Sequence, residues 1–177
     1  MAVKTFTTGE VLTAADTNTY LANSGLVYVK SQTVGSGVSS VTVSDAFSAT
    51  YNNYRIVWTG GSMSVDTNLM MTVGSANTAY YGALIYGSYS GGSASVAGDL
   101  NQSRWSWAGG SSMATIDLYN PFANIATDIS SRARYSTVYG TYQGTLITTI
   151  SYTSFTFTPA SGTMTGGTIT VYGYRKA

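Results

Sequence analysis

Charge is what this sequence has least of. Eight of its 177 residues are Lys or Arg and seven are Asp or Glu, 8 % together, where an ordinary soluble domain carries roughly a quarter. A formal net charge of +1 offers no basic stripe to a phosphate backbone, so no nucleic-acid partner is expected. Cysteine and histidine are both missing. Their absence removes disulfides, thiol nucleophiles, imidazole acid–base catalysis and the usual zinc sites. Calcium-loop spacing is missing as well, and the expectation is no metal and no cofactor. No run approaches the roughly 18 apolar residues of a membrane span. MAVKTFTTGEV (1–11) has no continuous apolar stretch of the kind a secretion signal needs. Synthesis in a cytoplasm, without membrane insertion, is the expectation.

Apolar residues still make up 44 %, enough for one well-cored domain. With so few charges, the surface has to be clad in Ser, Thr, Asn, Gly and Tyr. A surface of near-zero net charge does little to keep copies of itself apart.

Turn signals divide the chain at short, even intervals: VGSG (34–37), TGG (59–61), SGG (90–92), AGG (108–110) and TGG (165–167). Between them lie runs of period two. Tyr54, Ile56 and Trp58 share one face; so do Ala114, Ile116 and Leu118, Phe155 and Phe157, Ile169 and Val171, and Val41 and Val43. This is the half-buried antiparallel pattern. It predicts eight to ten strands over residues 26–177, folded as an all-β antiparallel sandwich, jelly-roll-like, that forms a head domain.

Residues 1–25 read differently. Thr13 with Asp16 three positions on is capping-box spacing, and Asn23 and Gly25 supply a stop. The helix predicted between them is about ten residues, too short to hold itself together in water. Its apolar residues, Ala14, Ala15, Tyr20, Leu21 and Ala22, with Val11 and Leu12 just before it, cannot make a core alone. Either they pack on the chain's own sandwich or they meet their counterparts on neighbouring chains. The second alternative makes residues 1–25 an attachment and oligomerisation segment.

An enzyme is not expected. The seven carboxylates, Glu10, Asp16, Asp45, Asp66, Asp99, Asp117 and Asp128, are scattered singly, whereas a glycosidase holds two a few ångströms apart. Asp66 and Asp99 read as loop residues, and Asp117 as a strand residue that is solvated or paired with an arginine. Nothing evident activates a Ser or Thr, and no catalytic residues are assigned.

Binding chemistry is better represented. Trp105 and Trp107 lie two apart in RWSWAGG (104–110), and Tyr80, Tyr81, Tyr86 and Tyr89 crowd TAYYGALIYGSYSGG (78–92). Aromatic rings give large, rigid contact area. The same rings equally serve a core or a subunit interface. SRARY (131–135) puts Arg132 and Arg134 on one side of a strand, as an anion pocket or as partners for Asp117 or Asp128.

Three phrases carry a resemblance: FTTGEVLTAADTNTYLANSG (6–25), FSATYNNYRIVWTGG (47–61) and SFTFTPASGTMTGGTITVYGYR (154–175). Together they resemble segments of tail-fibre and related virion appendage proteins of tailed bacteriophages. The resemblance implies a β-rich homotrimer on the virion, assembled in the bacterial host cytoplasm. It implies other virion proteins of the tail or capsid, or a host-surface glycan, as partners. The chain has no room for the long shaft of a full fibre. A tail-fibre or receptor-binding component, a capsid decoration (cement) or head-fibre protein, and a carbohydrate-binding or carbohydrate-active protein are the functions carried forward.

Overall fold

The computed structural model describes residues 5–17 and 25–176. The strands, in chain order, are β1 (Leu26–Thr33), β2 (Val41–Val43), β3 (Asn53–Met63) and β4 (Leu69–Val73). Next come β5 (Tyr80–Ser88), β6 (Ser95–Gln102), β7 (Trp105–Gly109) and β8 (Ala114–Tyr119). The last are β9 (Thr127–Tyr135), β10 (Val138–Leu146), β11 (Phe155–Pro159) and β12 (Met164–Tyr174). They form two antiparallel sheets, ordered β1-β12-β3-β8-β9-β10-β5-β6 and β2-β11-β4-β7. Among the described residues, twelve strands replace the eight to ten expected.

The surplus has a simple origin. Without β5, β6, β9 and β10, the remaining eight strands divide into two four-stranded sheets, β1-β12-β3-β8 and β2-β11-β4-β7, with every connection but β4 to β7 crossing between them. That is a jelly roll. The other four strands are two hairpins, inserted after β4 and after β8, which pair with each other through β10 and β5. They lengthen one sheet only.

The alternation read from the sequence decides what is inside. Tyr54, Ile56 and Trp58 are fully buried, as are Ala114, Ile116 and Leu118 on the neighbouring strand, Phe155 and Phe157, and Ile169 and Val171. Each such aliphatic or Phe side chain contributes about 1.5–3 kcal/mol of transfer free energy. Asp117 points to the other face of β8. It accepts from Arg55 Nε at 2.8 Å and Nη2 at 2.7 Å, and from the Tyr174 hydroxyl at 2.5 Å. Arg55 and Asp117 are direct cross-strand partners, so Asp117 is committed to Arg55 and not to Arg132 or Arg134.

Glycines inside the strands are roofed by aromatic rings of adjacent elements. A Cβ on Gly173 would run into the Tyr51 ring, and one on Gly82 into the Tyr142 hydroxyl. Bare backbone at these positions lets a ring lie across the strand.

At the front, Thr13 and Asp16 form the full capping box. The Asp16 amide donates to Thr13 Oγ1 at 3.1 Å, and the Thr13 amide to Asp16 Oδ2 at 3.1 Å. The helix α1 is assigned over Ala14–Asp16, and residues 18–24, where the rest of the expected helix falls, lie outside the described residues. Tyr20 and Leu21 lie outside the described residues. Val11, Leu12 and Ala15 are all exposed, Val11 at 79 %. No described residue of this segment is buried.

Candidate functional site

The inserted hairpins build a hollow of about 710 Å³, within the range of small-ligand sites. Its register is ladder-like. Tyr139 on β10 lies between Arg134 on β9 and Gly87 on β5; one rung on, Thr141 lies between Arg132 and Ile85. Antiparallel partners share a face, and successive members of one face are two residues apart. Arg132, Arg134, Tyr139, Thr141 and Ile85 are accordingly all exposed, whereas Ser131 and Ala133 between them are buried.

Tyr89, just beyond the end of β5, completes the platform. Its ring stacks on Tyr139, with centroids 5.2 Å apart and planes 24° from parallel. Arg134 Nε donates to the Tyr89 hydroxyl at 2.9 Å, and the guanidinium lies 6.0 Å from the Tyr89 centroid. That hydrogen bond is the largest cause of a raised Arg134 pKa; an arginine is in any case charged at every physiological pH. Arg132 is exposed on the next rung of the same strand. Two of the chain's eight basic residues thus flank one aromatic pair. Such a set can hold an anion by guanidinium hydrogen bonds and a planar or ring-shaped apolar face by stacking.

Of the expected contact residues, Tyr86, Tyr89, Arg132 and Arg134 meet at this hollow. Tyr86 is half-buried, with its ring packed toward the core. Tyr81 lines a second hollow of about 640 Å³ beside Tyr119, Asp128 and Gln143. This second hollow continues the same outward face. Gln143 pairs with Ser130 and Ala83 one rung past Thr141, and Thr145 pairs with Asp128 and Tyr81 one rung further.

Trp105, Trp107 and Tyr80 line neither hollow. Trp105 and Tyr80 are fully buried, edge to face at 5.1 Å. Trp107 is half-buried and packs on Tyr142 at 5.9 Å. Both tryptophans belong to the smaller sheet, and their partners Tyr80 and Tyr142 belong to the inserted hairpins. Gly82 on β5 and Gly144 on β10 leave room over the strands that the Tyr142 and Trp105 rings take up.

Asp99 is likewise not a loop residue. It lies on β6, 7 % exposed, and accepts from the Tyr142 hydroxyl at 2.7 Å, the Ser106 amide at 2.8 Å and Ser106 Oγ at 2.6 Å. Those three bonds compensate a carboxylate drawn out of water. Asp66 does sit in a loop, accepting from the Ser136 amide at 2.7 Å. Asp66, Asp99 and Asp117 each hold backbone or strands in place.

Sequence reasoning missed Tyr139, Ile85 and Met113, which also line the first hollow. Tyr139 was within reach as the outward partner of alternating VYGTY (138–142); Met113, on the turn between β7 and β8, had no signal. Comparisons with protein-family models, with curated proteins and with solved structures find no match.

Proposed function

We propose that this chain is a non-enzymatic structural component of a tailed-bacteriophage virion, a tail-fibre or receptor-binding piece that contacts the host surface. In this reading it is a homotrimer: residues 1–25 plug into the particle or bundle with their copies, and the sandwich is displayed outward. The observation that carries it is the leading segment. Its described residues are well capped at Thr13, yet none of them is buried, and Val11 and Leu12 stand 79 % and 50 % exposed. Apolar side chains beside the start of a short helix gain stability only when another surface covers them. The phage-like phrases over 6–25, 47–61 and 154–175 and the nearly uncharged surface support the same assignment.

Labelling the protein on intact particles is the test. Signal at the tail tip, in multiples of three, is the expected result. Signal spread over the capsid lattice would replace host attachment by capsid decoration, and its absence from particles would end the virion reading.

A further inference from the structure

The outward face of the inserted hairpins is a trough, not an isolated pit. Its four rungs run from Asp128 to Arg134 on β9, six residues of extended chain, or roughly 20 Å at about 3.3 Å each. The two hollows succeed one another along it. Aromatic rings stand at each end, Tyr139 with Tyr89 at one and Tyr81 with Tyr119 at the other. Hydroxyl and amide side chains, Thr141, Gln143 and Thr145, line the floor between them. Charge is divided along its length. Arg132 and Arg134 hold one end, where the Asp66 carboxylate acts on Arg134 from the neighbouring loop, and Asp128 stands at the other.

We propose that this trough binds a linear acidic saccharide, with its carboxylate-bearing sugar at the Arg132–Arg134 end. The chemistry fits each part. Sugar rings present C–H faces that lie on tyrosine. Their hydroxyls exchange hydrogen bonds with the Thr and Gln floor, and a sugar carboxylate takes the guanidinium forks bidentately. Arg134 is held in place by the Tyr89 hydroxyl through Nε, and a sugar carboxylate would take hydrogen bonds from its two terminal amino groups. An acid group at the opposite end would meet Asp128, so the chain has one favoured direction. A small anion alone uses only the arginines and leaves the aromatic ends idle. The inference rests on the surface-attachment reading and names what that surface recognises.

The test titrates the full chain, by NMR and calorimetry, with trigalacturonate and 3′-sialyllactose, and with their uncharged counterparts, the methyl ester and lactose. At least one acidic probe is expected to bind, at least tenfold tighter than its neutral counterpart, and to shift the Tyr89 and Tyr139 ring resonances. Arg132→Gln and Tyr89→Ala, both at exposed positions, should each weaken that binding at least tenfold while the melting temperature stays put. Absence of binding by both acidic probes at millimolar concentration overturns the proposal. Equal binding of acidic and neutral forms does so too, as does inorganic phosphate that binds as tightly as the oligosaccharide. If Tyr89→Ala abolishes adsorption of particles to cells while neither acidic probe binds, surface attachment stands and the acidic saccharide falls.

Discussion

The Tyr142 hydroxyl reaches the Asp99 carboxylate, 2.7 Å away, by passing over the strand that separates them. Tyr142 is on β10 and Asp99 on β6, with β5 between. The crossing is at Gly82, which pairs with Asp99 and has no side chain to block the ring. Ser106 then joins Asp99 to β7 of the opposite sheet. One buried carboxylate thereby fastens both inserted hairpins, and the hollow they form, to the jelly roll.

That crossing makes Gly82→Ala an informative substitution. Its methyl group would displace the Tyr142 hydroxyl, at an overpacking cost of about 1–3 kcal/mol, together with the bond to Asp99. Tyr142→Phe alone should cost about 1–3 kcal/mol by leaving the buried carboxylate one donor short. Because both changes break the same bond, the double variant should be less destabilised than the sum. Chemical denaturation of the four proteins checks this, and strict additivity would mean the residues act separately.

Burial also fixes how the protein responds to alkali. It is the first cause in three tyrosines. Tyr80 is pushed up to about 12, Tyr174 is pushed up to about 12, with help from the bond it donates to Asp117, and Tyr142 is pushed well above the ordinary value, with help from Asp99. Unfolded tyrosines ionise near about 10. Between pH 10 and about 12 the unfolded chain therefore binds fewer protons than the folded one, and stability falls as pH rises. The phenolate absorbance that Tyr80, Tyr142 and Tyr174 contribute should develop only as the β circular dichroism collapses. Titration of all fifteen tyrosines in one step, with the fold retained, would contradict this.

Acid acts through Asp117. Burial alone would raise its pKa, but the hydrogen bonds from Arg55 and Tyr174 and the Arg55 charge outweigh that, and the net shift is downward. Its stabilisation is present above the ordinary carboxylate range and is lost as pH falls through the lowered value. Asp117→Asn should cost about 1 kcal/mol at neutral pH, since the pair is partly exposed to solvent. It should also flatten the acid limb of the melting-temperature profile. An unchanged acid limb would place the acid sensitivity elsewhere.

Trp105→Ala separates core from contact. Loss of about 3–5 kcal/mol of stability is expected for a fully buried ring of this size, with the hairpins loosened first because Tyr80 loses its partner. A stable Trp105→Ala protein that binds its target poorly would restore the tryptophan to the site.

The layered part of the fold was legible because its strands carry one apolar face each. Tyr54, Ile56 and Trp58, or Phe155 and Phe157, state their burial by alternation alone. The inserted hairpins were harder to read for a physical reason. Gly82 and Gly144 leave gaps in the pattern that rings from other strands fill, Tyr142 over the first and Trp105 over the second, and which ring covers which glycine depends on register. The same dependence hid the fate of Trp105 and Tyr80, which look like binding aromatics in sequence and are buried by each other. Arg132 and Arg134 were placed correctly on one face by their spacing of two. Their meeting with Tyr89 and Tyr139 required the β9–β10–β5 pairing, which no local pattern encodes.

Removing residues 1–25 from the chain as it is made in an infected cell, and quantifying the remainder in purified particles, bears most directly on the proposed role. A sandwich that keeps its β circular dichroism and cooperative melting but is missing from the particles is the expected result. Incorporation of the shortened chain at the level of the intact one would contradict it.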